Sequence, residues 1–393
     1  MFGRSKNSPR PKIGLVLPGG GARAAYQVGV LRAVARLLPD GAPSPFQVIT
    51  GTSAGSINAA ALAIHSDNFR RGVLRISRVW KNFTADQVFR TDAWGITRTG
   101  LHWLAAMALG GLGKSNPHSL LDRAPLYPLL EQSVPCDKIQ NAIDNGWLHA
   151  LGVTASSYRT GFSVTFYQAH ESVQTWHRER RLGHPAAITI DHLMASSAIP
   201  FLFSAIKIGH EYFGDGSVRQ VAPLSGALHL GADRVLVVGI RKKKPSHALE
   251  EHDPDYPTMA EVAGHILDSI FLDNLDTDLE RLERINKTVS LIPGRRLVQG
   301  GITLRPVEVL TITPSRSIDE IAARHAQLLP RALRYLMRGV GALRGHGATL
   351  VSYLLFEKPY CRELIALGYH DAMAHRHEIL RLLDTERKEG VLP

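Results

Sequence analysis

The chain has 393 residues, of which 44% are hydrophobic and 21% charged, a globular composition that excludes a disordered or collagen-like protein. The formal net charge is +11, yet the segment 250–283 holds eleven acids and one base, so the remainder carries +21. A surface that basic predicts a nucleic acid or an anionic membrane as partner, although solubility alone would also explain it. The two cysteines, Cys136 and Cys361, lie far apart and fit a reducing compartment.

The beginning of the chain combines a basic stretch with a short apolar one. Residues 1–12 are predicted to be a basic flexible tail, and Ile13–Leu17 follows as the apolar stretch. It is shorter than the roughly 7–15 residues of a secretion signal, and no apolar run reaches the roughly 18–20 residues of a membrane span. We therefore expect a strand here, neither a signal peptide nor a transmembrane helix, and a cytoplasmic or peripheral membrane protein.

Two strand–turn–helix units open the folded part. Ile13–Leu17 and Phe46–Thr50 are the predicted strands, and the helices after them are Ala22–Leu38 and Ala54–Ile64. This order is typical of a parallel α/β sheet. The remaining predicted strands are Leu148–Ala155, Phe162–Ala169, a hairpin over Ile206–Phe213, Arg234–Ile240 and Val307–Ile312.

The composition divides the chain into four parts. After the tail, residues 13–240 are expected to form the main α/β domain, residues 241–257 a charged linker, and residues 258–393 a mainly helical extension with one added strand. Thr258 with Glu261 and Ser317 with Glu320 predict capped helix starts in the extension. The apolar, glycine-spaced segment Leu101–Gly113 is predicted to be either a lid or interfacial segment over a groove or a buried core helix.

A G-x-S-x-G sequence lies between the second strand and its helix. It consists of Gly51, Thr52, Ser53, Ala54 and Gly55. A serine on a sharp strand-to-helix turn is held in strained backbone with its hydroxyl above the sheet, and the flanking glycines avoid clashes with the neighbouring strand and helix. The following helix directs its N-terminal amides at developing negative charge, so Ser53 is a candidate nucleophile.

The first turn is also rich in glycine, and two interpretations compete for it. Its residues are Gly19, Gly20, Gly21, Ala22, Arg23 and Ala24. The pattern resembles a dinucleotide fingerprint, with Asp40 as the ribose acid, or it supplies backbone amides as an oxyanion hole. Asp40 precedes the second strand instead of ending it, which favours the oxyanion hole over an NAD(P)-binding oxidoreductase.

A third motif, Asp215-Gly216-Ser217, completes a resemblance to a known family. GGGARA, GTSAG and this Asp-Gly pair in order, preceded by ASSAIP at residues 195–200, make the chain similar to the patatin-like phospholipases. The resemblance covers about residues 13–240, and the stretch Tyr353–Asp371 is similar to long bacterial members. It implies a three-layer α/β/α fold with a mostly parallel central sheet and a C-terminal helical extension.

The resemblance also implies the roles of the site residues. Ser53 matches the nucleophile and Asp215 the base of a Ser–Asp dyad that cleaves lipid acyl esters through an acyl-enzyme, with the loop Gly19–Arg23 as oxyanion hole. The sequence departs from the family pattern at Ser217, whose hydroxyl would lower the basicity of Asp215, and at Ala24. We weigh His229 as an alternative base, because it follows Asp215 in the order Ser, Asp, His.

These features predict a lipid acyl hydrolase of the phospholipase A or lysophospholipase type that needs no metal or cofactor. Its expected partners are a phospholipid substrate and an anionic membrane surface, with no nucleic acid and with self-association possible. Arg23 meets either a lipid phosphate or a structural carboxylate. A basic set faces either anionic headgroups or solvent, and it consists of Arg70, Arg71, Arg75, Arg78 and Lys81. The alternatives are an oxidoreductase or a lipid-binding protein without turnover.

Overall fold

The computed structural model describes residues 11–91, 119–242, 256, 258–299, 304–342 and 347–384. The segment Leu101–Gly113, almost all of the tail 1–12 and most of the linker 241–257 lie outside the described residues. The described residues form a single ten-stranded sheet and the helices on both of its faces.

The predicted strands are present in the predicted order, and two short strands over residues 177–178 and 181–185 were not predicted. They are β1 (Ile13–Leu17), β2 (Val48–Thr52), β3 (Ala150–Ser157), β4 (Ser163–Ala169), β5 (His177–Arg178), β6 (Arg181–Pro185), β7 (Ile206–Ile208), β8 (Glu211–Asp215), β9 (Arg234–Val238) and β10 (Glu308–Ile312). β1, β2, β3, β9 and β10 pair in parallel, in the order β10-β9-β1-β2-β3, whereas β4 and β8 run antiparallel to β3.

The helices separate most of these strands. They are α1 (Ala25–Leu37), α2 (Ala54–Ala63), α3 (Phe69–Lys81), α4 (Leu126–Ser133), α5 (Lys138–Asp144), α6 (Ile190–Ser196), α7 (Ser225–His229), α8 (Met259–Asp268), α9 (Asn274–Ser290), α10 (Gly294–Gln299), α11 (Ile318–His325), α12 (Arg331–Gly339), α13 (Ala348–Leu354), α14 (Lys358–Ala374) and α15 (Arg376–Leu382). In the part of the chain that is described, no helix is long and apolar enough to cross a bilayer.

Alternating strand residues build two cores, one on each face of the sheet. Leu15 and Leu17 of β1 belong to the larger core, and Val16 between them belongs to the smaller one. This alternation follows from the two-residue period of a strand. Helices α1, α2, α3 and α14 cover the larger core, and α7 and α9 cover the smaller, so the fold is a three-layer α/β/α sandwich.

The ends of β2 and β8 meet along β3. β2 pairs with the first part of β3, and the last pair is Thr52 opposite Thr154. From the next residue of β3 onward the pairing partner is β8, with Asp215 opposite Ala155. The residue after Thr52 therefore emerges from the sheet beside Asp215. This register brings together two sequence motifs that are 162 positions apart in the numbering.

β2 starts and ends two residues later than the predicted strand Phe46–Thr50. The Ser44 hydroxyl accepts a hydrogen bond from the Phe46 amide at 3.1 Å, which holds Phe46 in a turn before the strand. The Phe46 ring packs edge-on against Phe69, at 5.7 Å between centroids. Because β2 includes Gly51 and Thr52, the chain turns at Ser53 itself.

The C-terminal residues are built into the sandwich. β10 extends the sheet by pairing with β9, and α14 lies along α1. Of the two expected capping boxes, the one at Thr258 and Glu261 is complete, whereas Ser317 accepts the Glu320 amide without a reciprocal bond. In the described range 258–384 the predicted extension therefore shares the core of the predicted catalytic domain.

We expect Gly368→Ala to destabilise the protein, because a Cβ there would lie 2.2 Å from the Tyr26 backbone oxygen. Backbone cannot yield locally, so α1 and α14 would have to separate. Overpacking of this kind costs about 1–3 kcal/mol, measured as the free energy of unfolding in urea. Gly339→Ala is the control, since no atom lies within 4 Å of its Cβ position. Equal stability of the two variants would contradict this packing.

Candidate active site

Ser53 occupies the turn between β2 and α2 in a strained conformation. Its φ of 54° and ψ of −133° are unusual for a residue with a side chain. The Ser53 amide donates to the Ser196 hydroxyl at 2.9 Å, and the Ser56 hydroxyl donates to the Ser53 carbonyl at 2.6 Å. These contacts hold the backbone in a conformation that it would not adopt in isolation.

The glycines on either side of Ser53 are required by close backbone contacts. A Cβ on Gly51 would lie 2.4 Å from the Gly55 oxygen, and a Cβ on Gly55 would lie 2.1 Å from the Leu17 oxygen. Real Cβ atoms do not come so near to backbone oxygens. Both glycines of the G-x-S-x-G pattern are therefore needed for this turn to pack between β1 and α2.

Asp215 is completely buried at the end of β8. Its amide donates to the Ala198 oxygen at 2.8 Å, and its Oδ1 accepts the Ser217 amide at 2.9 Å. Its Oδ2 is buried and has no hydrogen-bond partner among the described residues. One carboxylate oxygen is thus fixed by the protein and the other is left available.

Burial raises the pKa of Asp215 from its ordinary value of 3.8 to about 6, because the charged form loses its hydration. The Ser53 hydroxyl, Ser217 and Arg123 act in the opposite direction, although no strict hydrogen bond joins Ser53 to Asp215. The expected contribution of Ser217 is present, mainly through its backbone amide and less through its hydroxyl. A carboxyl with this pKa is a stronger base than an ordinary aspartate.

The glycine loop approaches Ser53 from the end of β1. A Cβ on Gly19 would lie 2.7 Å from that of Ser53, and Gly21 has a φ of +53°, which favours glycine. The amides of residues 19–22 have no hydrogen-bond acceptor in the described structure, whereas the Arg23 amide donates to Gly20 at 3.1 Å. Four of the five predicted oxyanion-hole amides are thus free, and that of Arg23 is engaged.

The Arg23 side chain belongs to a buried ionic cluster. It donates to Asp319 at 2.6 Å and to the Ser352 hydroxyl at 2.6 Å, lies 3.4 Å from Asp268, and stacks on the Tyr353 ring at 4.1 Å. Of the two alternatives for Arg23, the structure favours the structural carboxylates over a lipid phosphate. All four partners come from the C-terminal part of the chain.

A chain of polar side chains fixes the start of the glycine loop. The Trp80 indole donates to Asn58 at 2.8 Å, Asn58 to Gln27 at 3.0 Å, and Gln27 to the Pro18 oxygen at 2.8 Å. Sequence reasoning missed these residues. The signal for them was the presence of the amide side chains Asn58 and Gln27 in helices whose buried residues are mostly apolar.

A cavity of about 290 Å³ runs from Ser53 along α2. Its walls are mostly apolar and include Ile57, Ala61, Ile76, Trp80, Leu130 and Phe203. The lining also includes Arg75 and Arg78, which are exposed on α3. The cavity thus connects Ser53 with a basic part of the surface.

Arg123 is a further cavity residue that sequence reasoning missed. Only 5% of it is exposed, and it lies in the loop before α4, which contains no recognisable motif. Burial lowers its pKa to about 10, and the nearby negative charge of Asp215 opposes that shift. The site therefore contains a buried cation as well as a buried acid.

The two alternative assignments find no support in the geometry. His229 stacks on Trp176 at 4.9 Å, in the layer of α7, and burial and two arginines lower its pKa to about 4. The groups that influence the pKa of Asp215 do not include it. Asp40 is exposed in the turn after α1, where it pairs with Arg70, so it does not end a strand as a ribose-binding acid would.

We expect Asp215→Asn to stabilise the protein at pH 8 by about 2–3 kcal/mol relative to wild type. A carboxyl with a raised pKa binds protons preferentially in the folded state, so wild-type stability falls as pH rises from 3.8 to above 6. Asparagine mimics the neutral form of the Asp215 side chain. The difference in stability between Asp215→Asn and wild type should therefore vanish near pH 4. Urea unfolding at both pH values tests this, with exposed Asp137→Asn as control. A destabilised Asp215→Asn at pH 8 would contradict it.

A family model agrees with the resemblance that the three motifs carry. The model of the family described as patatin-like phospholipase matches residues 15–228, more than half of the chain. The crystal structure of VipD from Legionella pneumophila is similar at 12% identity and a TM-score of 0.38, covering 96% of this chain and 67% of VipD. No curated protein matches. This chain belongs to the patatin-like phospholipase family, a family of lipid hydrolases.

Proposed function

We propose that the protein cleaves acyl esters of phospholipids or lysophospholipids with Ser53 as nucleophile and Asp215 as base. One observation carries the proposal: Ser53 lies on a strained turn, beside a buried carboxyl with a raised pKa, in the wall of an apolar cavity. A serine hydroxyl needs a base as its bond to carbon forms. Asp215 Oδ2, which has no other partner in the described structure, is the acceptor for that proton.

The reaction proceeds in two balanced halves. Ser53 Oγ attacks the ester carbonyl while its proton passes to Asp215, and the proton then goes to the departing alcohol or lysolipid. Water attacks the acyl-enzyme and gives a proton to Asp215, which passes it to Ser53 Oγ as the fatty acid leaves, so that both groups are restored. Positioned proton transfer of this kind contributes roughly 10²–10⁴-fold to the rate.

The free amides of the glycine loop are suited to bind the oxyanion that forms in both halves. Those of residues 19–22 lack acceptors in the described structure, and Gly19 and Gly21 lie against Ser53 and its cavity. A single donor of this type contributes about 10²–10³-fold. We leave the Arg23 amide out of the set, because it already bonds to Gly20.

The cavity walls fit an acyl chain. Between Ala54 and Ala61 the lining follows α2 over about 10 Å at the rise of an α-helix. Burying methylene groups against such walls releases about 0.8 kcal/mol each, which favours long acyl chains over short ones. The substrate class is therefore a lipid ester.

We expect a fluorophosphonate probe to label wild type and to leave Ser53→Ala unlabelled. Asp215→Asn should reduce fatty acid release by at least about 10²-fold, because no neighbouring group replaces the base. His229→Ala is the matched control and should keep activity. In wild type, activity should rise through a midpoint near pH 6, following ionisation of Asp215.

Two outcomes would overturn this proposal. Equal labelling of wild type and Ser53→Ala would exclude Ser53 as nucleophile. A folded wild type that binds lipid vesicles without releasing fatty acid would indicate a lipid-binding protein without turnover. Loss of activity in His229→Ala, with Asp215→Asn active, would assign the base to the histidine.

We also propose that the arginines at the cavity rim hold the enzyme on anionic membranes. Arg75 and Arg78 are exposed on α3 and line the cavity, and neither forms an ion pair with a described carboxylate. Arg70 and Arg71 on the same helix pair with Asp40 and Asp67. Free cations near a membrane surface attract anionic lipid by about 1 kcal/mol each.

Arg75→Glu with Arg78→Glu should weaken binding to vesicles containing phosphatidylserine by about tenfold or more at low salt. Turnover of a soluble short-chain ester should stay near the wild-type rate. The control pair is Arg284→Glu with Lys287→Glu, which makes the same charge change at two exposed positions of α9. Vesicle co-sedimentation measures both pairs. If both pairs lose vesicle binding equally, or if the α3 pair loses none, the basic charge serves solubility and does not hold the enzyme on membranes.

A further inference from the structure

Arg123 carries a buried positive charge without a carboxylate beside it. Its guanidinium donates to the Ser197 hydroxyl at 3.0 Å and to the Ser204 carbonyl at 3.3 Å, and it stacks over Phe203 at 5.1 Å. No described carboxylate lies within ion-pair distance of it. The other buried arginine, Arg23, has two.

Three successive residues at the C-terminal end of α6 join Arg123 to the catalytic pair. The Ser196 hydroxyl accepts the Ser53 amide, the Ser197 hydroxyl accepts Arg123, and the Ala198 oxygen accepts the Asp215 amide. The serine turn, the arginine and the acid are therefore held by one short stretch of backbone. Arg123 and Ser53 also line the same cavity.

In this arrangement the Arg123 guanidinium has N–H donors that remain available to a ligand. Arginine has five N–H donors in a planar fork, and two neutral oxygens accept from Arg123. A buried cation is costly unless an anion compensates it, and Asp215 lies outside ion-pair distance. An anionic oxygen that enters the cavity would provide the missing partner and a charge-assisted hydrogen bond.

We propose that Arg123 binds the phosphate of the substrate while the ester carbonyl lies at Ser53. The proposal rests on the hydrolase function given above and adds a preference for phospholipids over neutral esters. In a glycerophospholipid the phosphate and the acyl esters share one glycerol unit, so an anion site next to the nucleophile matches the molecule. The planar fork suits the two oxygens of a phosphodiester.

The test compares two substrates with the same acyl chain, 1-palmitoyl-lysophosphatidylglycerol and monopalmitoylglycerol. Arg123→Gln should lower kcat/KM for the first by about 10–100-fold, mostly through KM, and for the second by less than about threefold. Arg123→Lys, which keeps the charge without the fork, should fall between. Exposed Arg178→Gln is the control, and melting curves verify that every variant folds.

A binding measurement separates this proposal from the hydrolase function itself. In a Ser53→Ala background, calorimetry with an ether analogue of the lysophospholipid should show weaker binding for Arg123→Gln. Binding of the neutral alkylglycerol should not change. This readout remains valid if wild type proves inactive, in which case the hydrolase proposal fails while the phosphate site is still tested.

Three results would overturn the assignment. Unchanged discrimination between the two substrates in a folded Arg123→Gln would exclude a phosphate contact. Equal loss on both, with a shift of the acidic limb of the pH profile, would show that Arg123 acts through Asp215. Loss of inhibition by free palmitate, with substrate preference intact, would assign the anion to the carboxylate of the product.

Discussion

The site depends on how closely three pieces of backbone approach at the ends of β1, β2 and β8. At Gly19, Gly51 and Gly55 an added Cβ would lie within 2.7 Å of a neighbouring atom, and two of those neighbours are backbone oxygens. Only hydrogen atoms fit in that space, so the motif glycines are a packing requirement. The same crowding keeps Ser53 in strained backbone, and the strain is sustained because the surrounding sheet and helices determine the conformation.

The second constraint is the burial of charge. Asp215 and Arg123 are both removed from water, and each influences the pKa of the other without forming an ion pair. Such groups reduce stability, and functional sites are where proteins retain them. Arg23 is a contrasting case, since its charge is met by two carboxylates and an aromatic ring. One arginine therefore maintains the structure of the loop, and the other remains open to a ligand.

Local sequence patterns predicted much of the fold. Apolar runs predicted every strand except β5 and β6, and β2 differed by two residues because a Ser44 turn holds Phe46 outside it. The three motifs carried the resemblance to the family, and that resemblance implied the three-layer fold. Arg123, Asn58 and the partners of Arg23 could not be predicted, since their roles arise from pairings across distant segments. No spacing in one sequence encodes that Arg23 and Asp319 meet.

The ionic cluster of Arg23 has a consequence for synthesis of the chain. Arg23 and Asp319 are 296 residues apart, and β1 pairs with β9 as well as β2. The ribosome delivers residues in order at about 5–20 per second, so the glycine loop emerges long before the groups that anchor it. Contacts of such long range form late. A nascent chain thus has its serine motif early, whereas the support for its neighbouring loop is absent until the ribosome has passed Asp319.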